Sequence, residues 1–227
     1  MADQNSEKIY SQGHFSLFEK IVQKKREEML IKIKEFLNNK DIDDVLDVGS
    51  TEDEKNISSN FIVKNLGNYK EYKSISDQSI NSDFFSVKLK KSITEDFTIS
   101  EIDEYKSDLV ISNATIEHVG SLENQTKMCE NILKLTKKYF IIMTPNRYHP
   151  FEFHTKLPLL HWLPKNIHRN ILSILGIHFL SKEENLNLLS NKDLLGIMQK
   201  LNHSDFEVKK IDFLFFKSNL LLFGKTI

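Results

Sequence analysis

The chain has 227 residues, with 31 Lys and Arg against 32 Asp and Glu, one Cys, 7 Gly and 16 Phe. That is about one domain's length, with enough apolar side chains to build a core. A net charge of −1 leaves no electrostatic footprint for nucleic acid, a lone Cys excludes a disulfide scaffold or a thiolate zinc site, and seven glycines leave little room for a three-glycine dinucleotide loop.

Residues 1–14 read as a polar tail without the apolar segment of a signal peptide, and no stretch approaches the ~18 apolar residues of a membrane span. The expectation is a cytoplasmic protein with one domain over 15–227. From Phe15, the residues Phe18, Val22, Met29, Ile33, Phe36 and Leu37 recur at helical spacing, with Lys24 to Glu28 filling a solvated face. Asp44 to Gly49 reads as a buried strand running into a turn. Phe61 to Val63 suggests a helix, and Tyr72 to Ile75 and Phe84 to Leu89 suggest strands.

Leu109 to Ile111 is a further strand, followed by a helix from about Ser121 whose apolar stripe includes Cys129. A thiol on that stripe is expected to be buried and inert. Tyr139 to Met143 forms another strand, closed by Thr144-Pro145-Asn146. Residues 145–189 combine proline punctuation with histidines and aromatics and are expected to form a lid insertion after that strand. Ile167 to Leu175 reads as helical. Ser190 with Asp193 caps a helix running to about Leu201, and Phe206 to Phe213 and Phe216 to Phe223 are two closing strands.

Alternating strands and helices followed by an adjacent strand pair imply an α/β fold, a parallel sheet covered on both faces with an antiparallel hairpin at one edge. Such sheets bind ligands outside the carboxyl ends of their strands. There stand Asp47-Val48-Gly49-Ser50, Asn113 to Gly120, and Thr144-Pro145-Asn146-Arg147. Together these resemble the class I S-adenosylmethionine-dependent methyltransferases, over residues from about 42 to the end. A narrower group of bacterial methyltransferases, largely without assigned substrates, is more similar still. Its shared features stand here as Glu117-His118-Val119-Gly120-Ser121, Thr144 to Arg147, Pro150 to Pro164, and Glu183 to Leu189.

The resemblance implies a Rossmann-like, doubly wound, seven-stranded sheet and S-adenosyl-L-methionine as cofactor. It assigns Asp47, Gly49 and Ser50 to the aminoacyl end of the cofactor. Thr51 and Asp53 stand where the family carries further glycines. Asp77 is the match for the ribose carboxylate, or else an exposed turn residue. Asp96, with Glu95 as rival, is the match for the adenine amine, and Asn113 for the methyl region. His118 is the best-placed general base, with a turn-bonded histidine as the alternative.

On the acceptor side Arg147 reads as an anion clamp or as a structural partner of Glu152 or a backbone carbonyl. His149 and His154 read as pocket residues. His149, His154 and His161 invite a metal reading, but their spacing matches no helical ligand pair and the prolines break any common face, so no metal is expected. The implied activity is methyl transfer to a small molecule, with no nucleic-acid partner. Leu157 to Leu163 with Ile171 to Leu180 read as a lid over the site or, alternatively, as a surface making weak contact with a membrane or a lipid-linked acceptor. The acceptor favoured is an oxygen of a sugar or phosphorylated metabolite of surface-polysaccharide synthesis. A non-catalytic binding protein, and a tRNA or protein methyltransferase, are the alternatives.

Overall fold

The computed structural model describes residues 17–52, 59–213 and 215–226. The polar tail, the start of the domain at residue 15, and Asp53 lie outside the described residues. Seven strands form one sheet: β1 (Asp44–Val48), β2 (Glu71–Ser76), β3 (Val87–Lys90), β4 (Ser107–Asn113), β5 (Thr136–Pro145), β6 (Phe206–Phe213) and β7 (Phe216–Lys225). Their order is β3-β2-β1-β4-β5-β7-β6, parallel from β3 to β5, with β7 antiparallel to both β5 and β6. This is the expected doubly wound sheet with its terminal antiparallel pair. No helix among the described residues is long and apolar enough to cross a membrane.

Period-two alternation distributes the strands' side chains between two apolar layers. Val45, Leu109, Ile111, Ile141 and Met143 pack with Met29, Ile33 and Leu37 of α1 (Leu17–Leu37) and Ile62 and Val63 of α2 (Phe61–Lys64). Leu46, Val48, Val110 and Ile142 face the other way. They meet α3 (Ile99–Tyr105), α4 (Leu122–Leu135) and α6 (Asn191–Lys200). Ser121 caps α4 by accepting the Asn124 N–H, and Ser190 and Asp193 form the expected capping box on α6. Cys129 is buried in the second layer, where burial pushes its thiol up to about 12. At the amino ends of the strands Asp44 accepts from the Asp108 N–H and from Lys137, and Asp108 pairs with Lys138.

Three local differences from the sequence reading have physical causes. The third strand starts at Val87, because Phe84 and Phe85 pack as aromatics beside Tyr72, with a Tyr72–Phe84 centroid separation of 4.6 Å. The helix at Phe61 is a single turn. And α3 was not anticipated, although Thr98 and Glu101 form a reciprocal capping box that is readable as T-x-x-E.

Gly224 on β7 lies opposite Phe140 of β5, where an added Cβ would stand 2.2 Å from the buried ring. Gly224→Ala is expected to cost about 1–3 kcal/mol through overpacking, read as a lower denaturant midpoint with an unchanged slope.

Candidate active site

Strand order reverses between β1 and β4, and the crevice outside their carboxyl ends is where such a sheet receives a ligand. Asp47 is buried there. Its carboxylate accepts from the Ser50 hydroxyl at 2.5 Å and forms no ion pair among the described residues. Burial, only partly offset by that bond, pushes its pKa up to about 6. Ser50 is held from below, since Ser74 donates to its hydroxyl and Ser76 to its carbonyl. Its side chain therefore faces Asp47 and β2.

Gly49 has φ +91°, and a Cβ on it would lie 2.1 Å from Thr115 Oγ1. The glycine is thus required both by its conformation and by the turn after β4 that packs on it. Thr51, where the family has a glycine, is clasped by Asn60. The Asn60 side chain accepts the Thr51 N–H and donates to the Thr51 carbonyl, both at 2.9 Å. A side-chain amide thus closes the loop.

The other residues expected at the cofactor are distributed unevenly. Asp77 follows β2 and is exposed. Asn113 ends β4, half-buried, beside Ala114, which takes φ +53° while its N–H donates to Met143 on β5. Asp96 lies against α4, paired with Lys127 at 2.8 Å, and Glu95 accepts the Ser92 N–H. Both carboxylates expected at the adenine amine already have local partners.

Past Ala114 the chain makes a 3₁₀ turn, Ile116–His118, that carries Glu117 inward and His118 outward. Glu117 is fully buried; Oε2 accepts from Thr144, and Oε1 has no hydrogen-bond partner. His118 Nδ1 lies 2.6 Å from the Asn185 carbonyl, which can only accept, so that nitrogen carries the proton and Nε2 holds the lone pair. The His154 ring meets His118 edge-to-face at 4.9 Å. His154 Nδ1 donates to Glu152 at 2.7 Å, and the His154 and Thr155 N–H groups bind the same carboxylate. Burial opposes the charge on both partners, but their mutual bond outweighs it: Glu152 is held down at about 2 and His154 is raised.

Arg147 has a structural position. Its Nε donates to the His161 carbonyl and a terminal nitrogen to the Leu163 carbonyl, fastening residues 161–163 to the end of β5. His149 is buried and bonded to the Phe151 backbone, and His161 reaches the His149 carbonyl. The His149, His154 and His161 trio therefore does not assemble; His154 joins Glu117 and His118 instead.

A narrow cleft beside Arg147 is lined by His161, Lys165, His168, Arg169 and residues 186–188. Two of the chain's three arginines meet there. Burial first, then Arg147 and Arg169, lower the Lys165 pKa; burial likewise lowers His161 and His168. Asn187 joins this cleft to the 3₁₀ turn. Its side-chain oxygen accepts from Lys165 at 2.5 Å, its side-chain nitrogen donates to the Gly120 carbonyl, and its backbone N–H donates to the Glu117 carbonyl. Gln125, buried in α4, donates to the Asn187 and Ile116 carbonyls. Asn187, Lys165 and Gln125 were missed as site residues in the sequence. The asparagine within the shared segment Glu183 to Leu189 was the available signal.

No protein-family model and no curated protein matches the chain. Solved structures do. The magnesium protoporphyrin IX methyltransferase of Synechocystis PCC 6803 with bound S-adenosylhomocysteine aligns at TM-score 0.56 and 11% identity, covering 97% of this chain and 92% of that one. The N-methyltransferase NodS from Bradyrhizobium japonicum WM9, also with S-adenosylhomocysteine, aligns at 0.53 and 10%, covering 99% and 93%. The 1,6-didemethyltoxoflavin-N1-methyltransferase of Burkholderia thailandensis aligns at 0.53 and 9%, covering 88% and 77%. The chain has the fold of the S-adenosylmethionine-dependent methyltransferases.

Asn187→Ala would remove the side-chain partner of the buried Gly120 carbonyl and of the half-buried Lys165 ammonium. The expected loss is about 1–3 kcal/mol in denaturant unfolding, with faster hydrogen exchange of the amides in residues 116–120.

Proposed function

We propose that the protein transfers a methyl group from S-adenosyl-L-methionine to an oxygen of a small, anionic acceptor. The observation that carries this reading is Asp47: a buried carboxylate without a cation, beside Gly49, at the switch point of a methyltransferase sheet. A lone buried carboxylate is costly, and a ligand bearing an ammonium group offsets that cost. The residues present thus fit the cofactor's aminoacyl end. Asp47, Gly49 and the backbone at Ser50 would hold that end, Asp77 the ribose hydroxyls, and Asn113 would border the methyl region. Asp96 pairs with Lys127 through Oδ1 only, and its exposed second oxygen would meet the adenine amine.

When bound, the cofactor supplies an electrophilic methyl on a sulfonium, so the chain's own task is to position the acceptor and manage its proton. His118 presents an Nε2 lone pair at the exposed side of the turn after β4 and is the group that takes a hydroxyl proton. The cleft of Lys165, Arg169 and Arg147, joined to that turn through Asn187, would widen from its present water-sized space to seat a phosphate or carboxylate on the acceptor, with His149 and His154 in the segment beside it. A phosphorylated sugar or metabolite of surface-polysaccharide synthesis combines the hydroxyl and the anion.

The exposed strip of Trp162, Leu163, Ile167, Ile174 and Leu175 favours a second reading of the acceptor as lipid-linked. In that case the wild type sediments with neutral phospholipid vesicles and Ile174→Ser sediments markedly less. Equal sedimentation of the two overturns it.

Calorimetry with S-adenosylhomocysteine tests the cofactor assignment. Asp47 in the free protein is protonated below about 6 and ionised above it, and an ammonium-bearing ligand favours the ionised form. Affinity is therefore expected to rise as pH climbs from 5 to 7 and then level off. Asp47→Asn is expected to bind about tenfold more weakly and without that rise. Absence of binding to the wild type, or an Asp47→Asn variant indistinguishable from it, overturns the assignment.

A further inference from the structure

The described residues bring together one group able to hold a metal ion: Glu117, His118 and His154, with a potential ligand atom from each lying within 4.8 Å of the others. Two independent features give this cluster the chemistry of a binding site. The first is Glu117 itself. The residue is fully buried, Thr144 occupies one carboxylate oxygen, and Oε1 is left with no hydrogen-bond partner. A buried carboxylate oxygen without a donor costs on the order of 1–3 kcal/mol, so something must face it.

The second is the orientation of the two imidazoles. His118 donates Nδ1–H to the Asn185 carbonyl and His154 donates Nδ1–H to the Glu152 carboxylate. Each ring thereby has Nδ1 occupied and presents Nε2 as the nitrogen left for another partner; at His154, whose charged form Glu152 favours, an entering cation displaces the Nε2 proton. Metal-binding histidines are held in this way, one by a carbonyl and one by a carboxylate, which orients the ring and raises its basicity.

We propose that Glu117 Oε1, His118 Nε2 and His154 Nε2 form a binding site for a first-row divalent cation, with zinc the best match to two imidazoles and one carboxylate. Bonds of about 2.0–2.2 Å place tetrahedral ligands roughly 3.3–3.5 Å apart, so binding requires the cluster to close by up to about 1.5 Å. His118 is exposed and can supply that movement. Three protein ligands leave an open position toward solvent. There an acceptor hydroxyl would bind and release its proton to water more readily, with the ion rather than a free His118 activating it. This last consequence rests on the methyl-transfer reading; occupancy of the site by metal does not.

Calorimetric titration of the chelator-treated full chain with Zn²⁺ tests the site. One equivalent is expected to bind the wild type, and at least tenfold more weakly to Glu117→Gln, which keeps the Thr144 contact, and to His154→Asn. The exposed His178→Ala is expected to bind as the wild type does. His118→Ala alters an exposed turn residue and provides the same test should the buried variants fail to fold. With Co²⁺ as probe, the wild type is expected to show visible ligand-field bands that Glu117→Gln and His154→Asn lack. A wild type that takes up no stoichiometric Zn²⁺, or cluster variants that bind it as the wild type does, overturns the proposal. Binding of S-adenosylhomocysteine, measured in parallel, separates this outcome from failure of the methyl-transfer reading.

Discussion

The segment between β5 and α6 contributes no strand to the sheet, and its position depends on a few backbone bonds, to the turn after β4 and to the end of β5, reinforced by side-chain amides. Asn187 is the chief of these. From a buried position it bonds Lys165, Gly120 and Glu117, while Gln125 bonds its carbonyl. Each bond is modest against water, but in the interior the alternative is an unsatisfied group. The cationic cleft and the Glu117–His118 turn consequently share one support. The ring of His154 reaches that turn from the far end of the same segment, held by Glu152.

The turns after β1 and β4 have a comparable economy. Gly49 and Thr115 occupy space that neither could share with a larger neighbour, which couples the turn after β1 to the turn after β4. Beyond Gly49 the loop carries Thr51 where more permissive residues would leave the backbone free to adapt. Asn60 supplies the missing constraint by bonding both polar groups of the Thr51 backbone. The result is a loop shaped by an amide side chain from the start of α2, with the unpaired Asp47 beneath it.

The sheet was legible in the sequence chiefly through the apolar runs in β1, β4 and β5 and the closing strand pair, whereas β2 (EYKSIS) and β3 (VKLK) carry polar residues and gave weaker signals. The caps of α4 and α6 were legible because their chemistry is local. The Phe84 boundary was misread because an aromatic that packs beside a sheet has the same composition as one within it. At the site, Asp47, Gly49 and His118 could be found by their distance from strand ends. Arg147 was singled out by its scarcity, but whether its guanidinium faces a ligand or a carbonyl depends on contacts 14 and 16 residues away. The approach of His154 to Glu117 was invisible for the same reason. Thirty-seven residues separate them, and only the path of the segment after β5 brings the ring back.

Those contacts also explain why the scarce arginine stands where it does. Two carbonyls, from His161 and Leu163, are reached from one rigid fork, a geometry the single ammonium of lysine does not reproduce. With Arg147 engaged in this way, Lys165 and Arg169 are confined near it. Glu183 offsets part of the charge through Arg169, yet burial and the two arginines still depress the Lys165 ammonium. A cleft in which cations are held together by packing, against their mutual repulsion, is relieved when an anion enters. The same contacts that hold the segment in place thereby set the spacing of the cations in the proposed anion seat.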